Sequence, residues 1–187
     1  MLSKSELRSR ITEEMANLDY AKKNIMDEKI RDNIYDLEEY SSAKTIFTYV
    51  SKDKEVDTID LITHSITLGK VVCVPLTKKE SNSLEIREIK DLMDLKIGNF
   101  SILEPNQNTK ITNPEEIELL FIPGLAFGGR CERLGRGGGY FDRFLMSTSG
   151  LKVGLAYDFQ IFDSLPIRKH DIKMDIIITN RQIINCV

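Results

Sequence analysis

The run Arg133-Leu-Gly-Arg-Gly-Gly-Gly-Tyr-Phe-Asp142 sets two arginines among glycines at 135, 137, 138 and 139. Glycines in such a row let backbone N–H groups turn inward and approach an anion closely. Arg133 and Arg136, with Arg143 just beyond, add cations whose planar forks suit phosphate. Upstream, Leu119-Leu-Phe-Ile122 reads as a buried strand; downstream, Phe141, Phe144 and Leu145 open an apolar helical face. A loop that leaves a strand and enters a helix gains the helix's first N–H donors. The composition therefore supports polyanion binding, most simply of a nucleoside triphosphate. The loop is not a Walker A motif, because it lacks the Gly-Lys-Ser/Thr ending, and it is not a dinucleotide fingerprint. On residues alone, a solvated hairpin and an RNA-contacting Arg/Gly segment stay open as alternatives. The net charge of −3 weighs against the second, because a basic footprint supplies most nucleic-acid affinity.

The elements that must hold this loop follow from periodicity. Ser3 and Glu6 form a capping-box pair, and Leu7, Ile11, Met15 and Leu18 recur at helical spacing. A second helix is predicted from about Tyr20 to Leu37, with Met26, Ile30, Ile34 and Leu37 on one face. Thr45–Val50 is a β-rich strand, and Val56, Ile59, Ile62 and Ile66 return to helical spacing up to Gly69. Val71–Val74 then reads as a buried strand closed by Pro75. This βαβ unit points to a parallel sheet. Leu84–Ile89 alternates like a half-buried strand, and residues 90–118, with Gly98, Pro105 and Pro114, read as mostly irregular. Lys152–Tyr157 is a further strand and Ile176–Thr179 the last. The expected architecture is a three-layer α/β/α domain with a largely parallel sheet. It is a single domain over 1–187, with a helical segment of about 1–40 packed on the sheet. In such sheets ligands bind beyond the carboxyl ends of the strands, where the glycine loop emerges.

Three cysteines, Cys73, Cys131 and Cys186, form neither a CxxC pair nor a zinc pattern. A disulfide framework is therefore not expected and a reducing compartment is. The charged start, MLSKSELRSRI, lacks a signal-peptide core, and no apolar run approaches the about 18 residues needed to span a bilayer. A cytoplasmic protein without membrane or nucleic-acid partners is expected. His64 and His170 are assigned no catalytic part. Cys131, beside arginines, could carry a lowered thiol pKa.

Pro123-Gly-Leu-Ala-Phe127 followed by Arg133–Arg143 resembles the signature of the 5-formyltetrahydrofolate cyclo-ligase (methenyltetrahydrofolate synthetase) family. Lys4-Ser-Glu-Leu-Arg8 resembles the family's N-terminal Lys-x-x-x-Arg, and Tyr49-Val50 with Glu55-Val-Asp-Thr58 its first strand and following turn. His170-Asp171-Ile-Lys-Met-Asp175 with Ile176–Thr179 resembles its C-terminal pattern, so the likeness runs in order along nearly the whole chain. Three positions depart from it. Gly128 stands where the family usually has Asp, Cys131 where it has Gly, and Phe141 where a second Tyr is commoner.

The resemblance implies an ATP-dependent enzyme with Mg²⁺ that closes 5-formyltetrahydrofolate to 5,10-methenyltetrahydrofolate, releasing ADP and phosphate. It implies that Lys4 and Arg8 reach the ATP phosphates from one face of the first helix. Arg133, Leu134, Gly135, Arg136, Gly137, Gly138, Gly139, Tyr140 and Phe141 would wrap the nucleotide. Arg136 would lie nearest the transferring phosphoryl as the catalytic cation. Val50 and Glu55 would contact the pterin, with Arg136, Gly137, Gly138, Gly139 and Tyr140 shared by the folate. Asp142 and Asp171 would be Mg²⁺ ligands. The partner would be a folate, with or without a polyglutamate tail, acted on by a monomer. The rivals are another nucleotide-binding or phosphoryl-transfer protein on the same scaffold, and an RNA-associated protein.

Overall fold

The structure, a computed structural model, describes residues 2–166 and 171–186, so His170 lies outside the described residues. Helix α1 (Lys4–Ala16) begins at the expected capping box: Ser3 Oγ accepts from the Glu6 N–H, and the Glu6 carboxylate accepts from the Ser3 N–H. Helix α2 (Tyr20–Tyr35) is capped by Asp19 and buries Met26, Ile30 and Ile34. A short α3 (Glu38–Ser42), which its five residues hide from periodicity, leads into β1 (Thr45–Thr48). Helix α4 (Ile59–Thr67) starts later than Val56 suggests, because residues 51–58 are held in a turn by Ser51 and Thr58.

Strand β2 (Val71–Lys78) runs through Pro75, where a stop was expected. The reason is one-sided pairing. β1 meets β2 only from Thr45↔Val71 to Phe47↔Cys73, and beyond that β2 pairs within the sheet with the antiparallel β3 (Ser83–Ile89) alone. Proline is tolerated where one edge of a strand has no partner. The region read as irregular holds a two-stranded hairpin, β4 (Leu95–Ile97) with β5 (Leu103–Pro105), and an edge strand β6 (Lys110–Ile111). Strand β7 (Leu119–Pro123) is followed by two short strands, β8 (Ala126–Gly128) and β9 (Arg133–Leu134), then α5 (Tyr140–Leu145) and β10 (Leu151–Leu155). β11 (Ile161–Phe162) joins β8 and β9 in a small separate sheet. β12 (Ile176–Ile178) is not the last strand: the chain turns back as β13 (Ile183–Asn185), antiparallel to it.

The large sheet has the order β13-β12-β10-β7-β1-β2-β3-β6, with its five central strands parallel. In β7, Leu119 and Phe121 face one layer and Leu120 and Ile122 the other, as the two-residue period requires. The first layer is α2, α3 and α4; the second is α5 with the segment around Phe127 and Cys131. The expected three-layer α/β/α architecture holds. Helix α1, however, packs Leu7, Ile11 and Met15 on Leu125, Ala126 and Leu134 of the small-sheet region.

Two further findings concern the departures noted in the sequence. Cys131 is disulfide-bonded to Cys186, with Cα atoms 6.2 Å apart, against the expectation of free thiols. Cys131 is therefore fully buried rather than a reactive surface thiol. Its wide separation of 55 residues from Cys186 carried no pairing signal. It also adopts φ 58°, the left-handed region that a glycine would enter without strain.

Phe127 anchors the small sheet by lying over bare backbone at Gly154: a Cβ there would come within 2.5 Å of the Phe127 ring. Gly154→Ala is therefore expected to lower stability by about 1–3 kcal/mol through overpacking. A shifted urea midpoint at unchanged slope would measure it.

Candidate active site

The strand order reverses between β1 and β7: the chain leaves β1 toward β2 on one side and leaves β7 toward β10 and β12 on the other. In open α/β sheets the crevice beyond the carboxyl ends at such a reversal is where ligands bind. Here that crevice is lined by Glu55 and Val56 after β1, Pro123 at the end of β7 and Gly124 after it, Gln160 after β10 and Met15 from α1. Val50 and Tyr49 are both buried in the core cluster that includes α2, and Tyr49 also lines the crevice.

The glycine loop reaches the same edge. Gly137 (φ 106°) and Gly139 (φ 69°) adopt backbone that L side chains rarely enter, so the turn of the loop depends on them. Arginine side chains hold the loop by its carbonyls. Arg8 Nε donates to the Gly135 carbonyl at 2.9 Å, and Arg143 donates to the Gly138 carbonyl at 2.8 Å and the Asn82 carbonyl at 2.6 Å. Tyr140 OH donates to the Asn82 side chain at 3.3 Å, so the β2–β3 turn supports the loop from outside. Leu134 is buried against α1, and its carbonyl accepts from Leu125 N–H at 2.8 Å. The helix that follows has only six residues, so its dipole adds less than the sequence suggested.

The cations and carboxylates expected at the site are paired with one another. Arg133, its side chain 2% exposed, donates to Asp142 Oδ1 at 2.7 Å and to the Pro123 carbonyl at 3.2 Å. Its guanidinium lies over the Phe141 ring, 5.8 Å from the centroid. Its Nε–H is buried with no acceptor among the described residues. Lys4 Nζ forms an ion pair with Asp171 Oδ2, joining α1 to the stretch before β12. Arg136, 63% exposed, pairs with Glu55, 19% exposed, at 2.9 Å. That contact joins the glycine loop to the turn after β1, 81 residues apart. Among the described residues no group of three or more His, Cys, Asp or Glu is gathered to hold a metal ion. Asp142 and Asp171 stand apart from any such cage, each paired with a cation, Arg133 and Lys4.

Residues that sequence reasoning missed lie beneath Glu55. The Tyr157 hydroxyl is 2.8 Å from Asp27 Oδ1 and 3.0 Å from the Glu55 carbonyl. Burial first, and then the Asp27 carboxylate, hold its pKa far above the ordinary tyrosine value, so it stays a donor. Gln160 is buried: its Oε1 accepts from Tyr157 N–H at 2.7 Å, and its Nε2 donates to the Gly124 and Leu125 carbonyls at 3.1 and 3.0 Å. It thus ties the end of β10 to the end of β7. Tyr157 closes a predicted strand and Asp158-Phe-Gln160 directly follows it, and that position at the carboxyl edge was the available signal.

Residues 1–180 match the profile of the 5-formyltetrahydrofolate cyclo-ligase family. A 5-formyltetrahydrofolate cyclo-ligase from Haemophilus influenzae is 31% identical over 177 residues, which cover 91% of this chain and 94% of that protein. The solution structure of 5,10-methenyltetrahydrofolate synthetase from Aquifex aeolicus superposes with a TM-score of 0.89 at 33% identity. The match covers 98% of this chain and 92% of that one. A 5,10-methenyltetrahydrofolate synthetase structure from Mycoplasma pneumoniae superposes with a TM-score of 0.78 at 26% identity, covering 96% and 99%.

The Arg133–Asp142 pair yields a stability prediction. Asp142→Ala leaves a buried guanidinium without its counter-charge, at an expected cost on the order of 3 kcal/mol. Arg133→Met combined with Asp142→Ala should recover most of that loss in denaturant titration, because no unpaired charge is then left inside.

Proposed function

The chain belongs to the 5-formyltetrahydrofolate cyclo-ligase family, and from that premise we propose how the crevice between β1 and β7 carries out the family's reaction. The enzyme uses ATP to convert 5-formyltetrahydrofolate into 5,10-methenyltetrahydrofolate. The difficulty lies in the formyl group on N5, an amide carbonyl whose oxygen leaves poorly. Transfer of the γ-phosphoryl to that oxygen forms an O–P bond, breaks the bond to ADP and leaves an electrophilic carbon. N10 then attacks, its proton is lost, and phosphate departs with the former formyl oxygen as the methenyl bridge closes.

Such a route requires the nucleotide's last phosphate and the formyl end of the pterin to meet at one point. The observation that carries the reading is the 2.9 Å contact between Arg136 of the glycine loop and Glu55 of the β1 turn. In this reading Arg136, more exposed than the paired Lys4 and Arg133, leaves Glu55 and follows the transferring phosphoryl. Arg133 stays fixed under the loop as a rigid counter-charge, and its buried, unpartnered Nε–H fits a group retained for ligand rather than packing. Lys4 and Arg8 approach the phosphates from α1, with Tyr140 and the loop glycines against both ligands. Glu55 accepts hydrogen bonds from the donor edge of the pterin. Phosphoryl transfer needs chiefly positioning and charge stabilisation, and these residues supply both.

Asp142 and Asp171 fit a magnesium ion in kind and number, since Mg²⁺ takes one or two carboxylates and completes its shell with phosphate oxygens and water. When bound, the ion would neutralise charge on the phosphates. The reading further has the protein acting as a monomer.

Three outcomes are expected. Growth of methenyltetrahydrofolate absorbance should require ATP and cease in EDTA, recovering with excess Mg²⁺; equal rates in EDTA would remove the metal. Arg136→Ala should lower kcat by about 30- to 1,000-fold, equivalent to about 2–4 kcal/mol of transition-state stabilisation. An unchanged kcat with a higher ATP KM would make it a ground-state contact only. Glu55→Gln should raise the folate KM about ten- to a hundredfold while the ATP KM moves less than about threefold. The second figure is small because an exposed ion pair such as Arg136–Glu55 contributes little by itself.

A further inference from the structure

We infer that Asp27 on α2 is a positioning residue for the folate end of the site, acting through the turn that carries Glu55. This rests on the reading of Glu55 given above.

Asp27 forms an ion pair with Lys23 one helical turn earlier, at 2.6 Å, and both side chains are almost enclosed, at 9% and 11% exposure. On an exposed helix such a pair is ordinary and adds little. Enclosed, it must offset the loss of hydration, and apolar residues of the same size would serve stability as well or better. The placement of Asp27 shows what the charge does here. Its second oxygen, Oδ1, accepts from the Asp57 N–H at 3.2 Å and from the Tyr157 hydroxyl at 2.8 Å. Tyr157 OH also lies 3.0 Å from the Glu55 carbonyl. One carboxylate oxygen therefore touches the turn on both sides of Val56, directly at Asp57 and through a phenol at Glu55.

The turn is held elsewhere too: the Glu55 N–H donates to the Lys52 carbonyl at 2.9 Å, Ser51 Oγ to Asp57 Oδ1 at 3.1 Å and Lys54 Nζ to the Leu18 carbonyl at 2.7 Å. Ser51 and Thr58 bond to each other in both directions, Thr58 Oγ1 donates to the Tyr49 carbonyl at 2.6 Å, and the Tyr49 hydroxyl donates to the Val56 carbonyl at 2.9 Å. The Glu55 carboxylate itself is steadied by the Lys52 N–H at 3.1 Å and by the exposed Arg136. Asp27 and Tyr157 hold the peptide from which that carboxylate projects. A catalytic or binding group displaced by about 1 Å loses much of its effect, so a brace of this kind acts on substrate affinity rather than on the fold alone.

A double-mutant cycle tests it. Lys23→Met/Asp27→Ala removes the pair without leaving a buried charge unpaired and is made alone and in the Glu55→Gln background. Alone, it should raise the folate KM about five- to tenfold with the ATP KM within about twofold. In the Glu55→Gln background it should add less than about twofold, because the group being positioned is already gone. Should the double variant not fold, Tyr157→Phe carries the same test, with about a threefold rise in folate KM that vanishes beside Glu55→Gln. Full additivity in the cycle, or an equal rise in both KM values, would overturn the inference and leave a structural ion pair. Glu55→Gln without any effect on folate KM would instead overturn the pterin role of Glu55, and the inference with it.

Discussion

Everything at the site depends on the parallel pairing of β1 with β7, in the register Ile46↔Leu119, Phe47↔Leu120 and Thr48↔Phe121. At that seam the connections part in opposite directions, and two loops that have no sequence proximity rise from adjacent strand ends. The strands are buried on both faces by Phe47, Leu120 and Phe121, so the register cannot slip without moving apolar side chains to the wrong layer. A one-residue slip would also separate Arg136 from Glu55, since their distance follows from where β1 and β7 end.

The glycine loop shows how a flexible composition becomes a defined shape. Its carbonyls are held by guanidinium groups from α1 and α5, and its positive-φ glycines turn the chain between those anchors. Backbone whose carbonyls are engaged outward keeps its N–H groups for a ligand, which is how a nest for anions works. The cost of ordering the loop is met when the protein folds.

Much of this was legible in the sequence where one period or one composition dominated. The α1 capping box, the buried runs around Ile46, Val72 and Phe121, and the glycine–arginine loop announce themselves locally. Elements of two or three residues, such as β8, β9 and β11, carry too few positions for any period. Pro75 misled because its tolerance depends on the β1–β2 pairing ending at Phe47↔Cys73, a tertiary fact. Ion pairs such as Lys4–Asp171, and the link from Asp27 to Tyr157 across 130 residues, are set by the strand order. No spacing rule reaches that far. The Cys131–Cys186 bond is invisible for the same reason.

The packing of α1 has a consequence for how the protein comes into being. Leu7, Ile11 and Met15 leave the ribosome well before their cover, Leu125, Ala126, Leu134 and Leu165. Lys4 waits 167 residues for Asp171. At a synthesis rate of about 5–20 residues per second, that interval is about 10–30 s. For that time the nascent chain presents an apolar stripe with nothing to bury it and a site that lacks one of its walls. A ribosome stalled before those covering residues displays the apolar face of the first helix without the side chains that bury it.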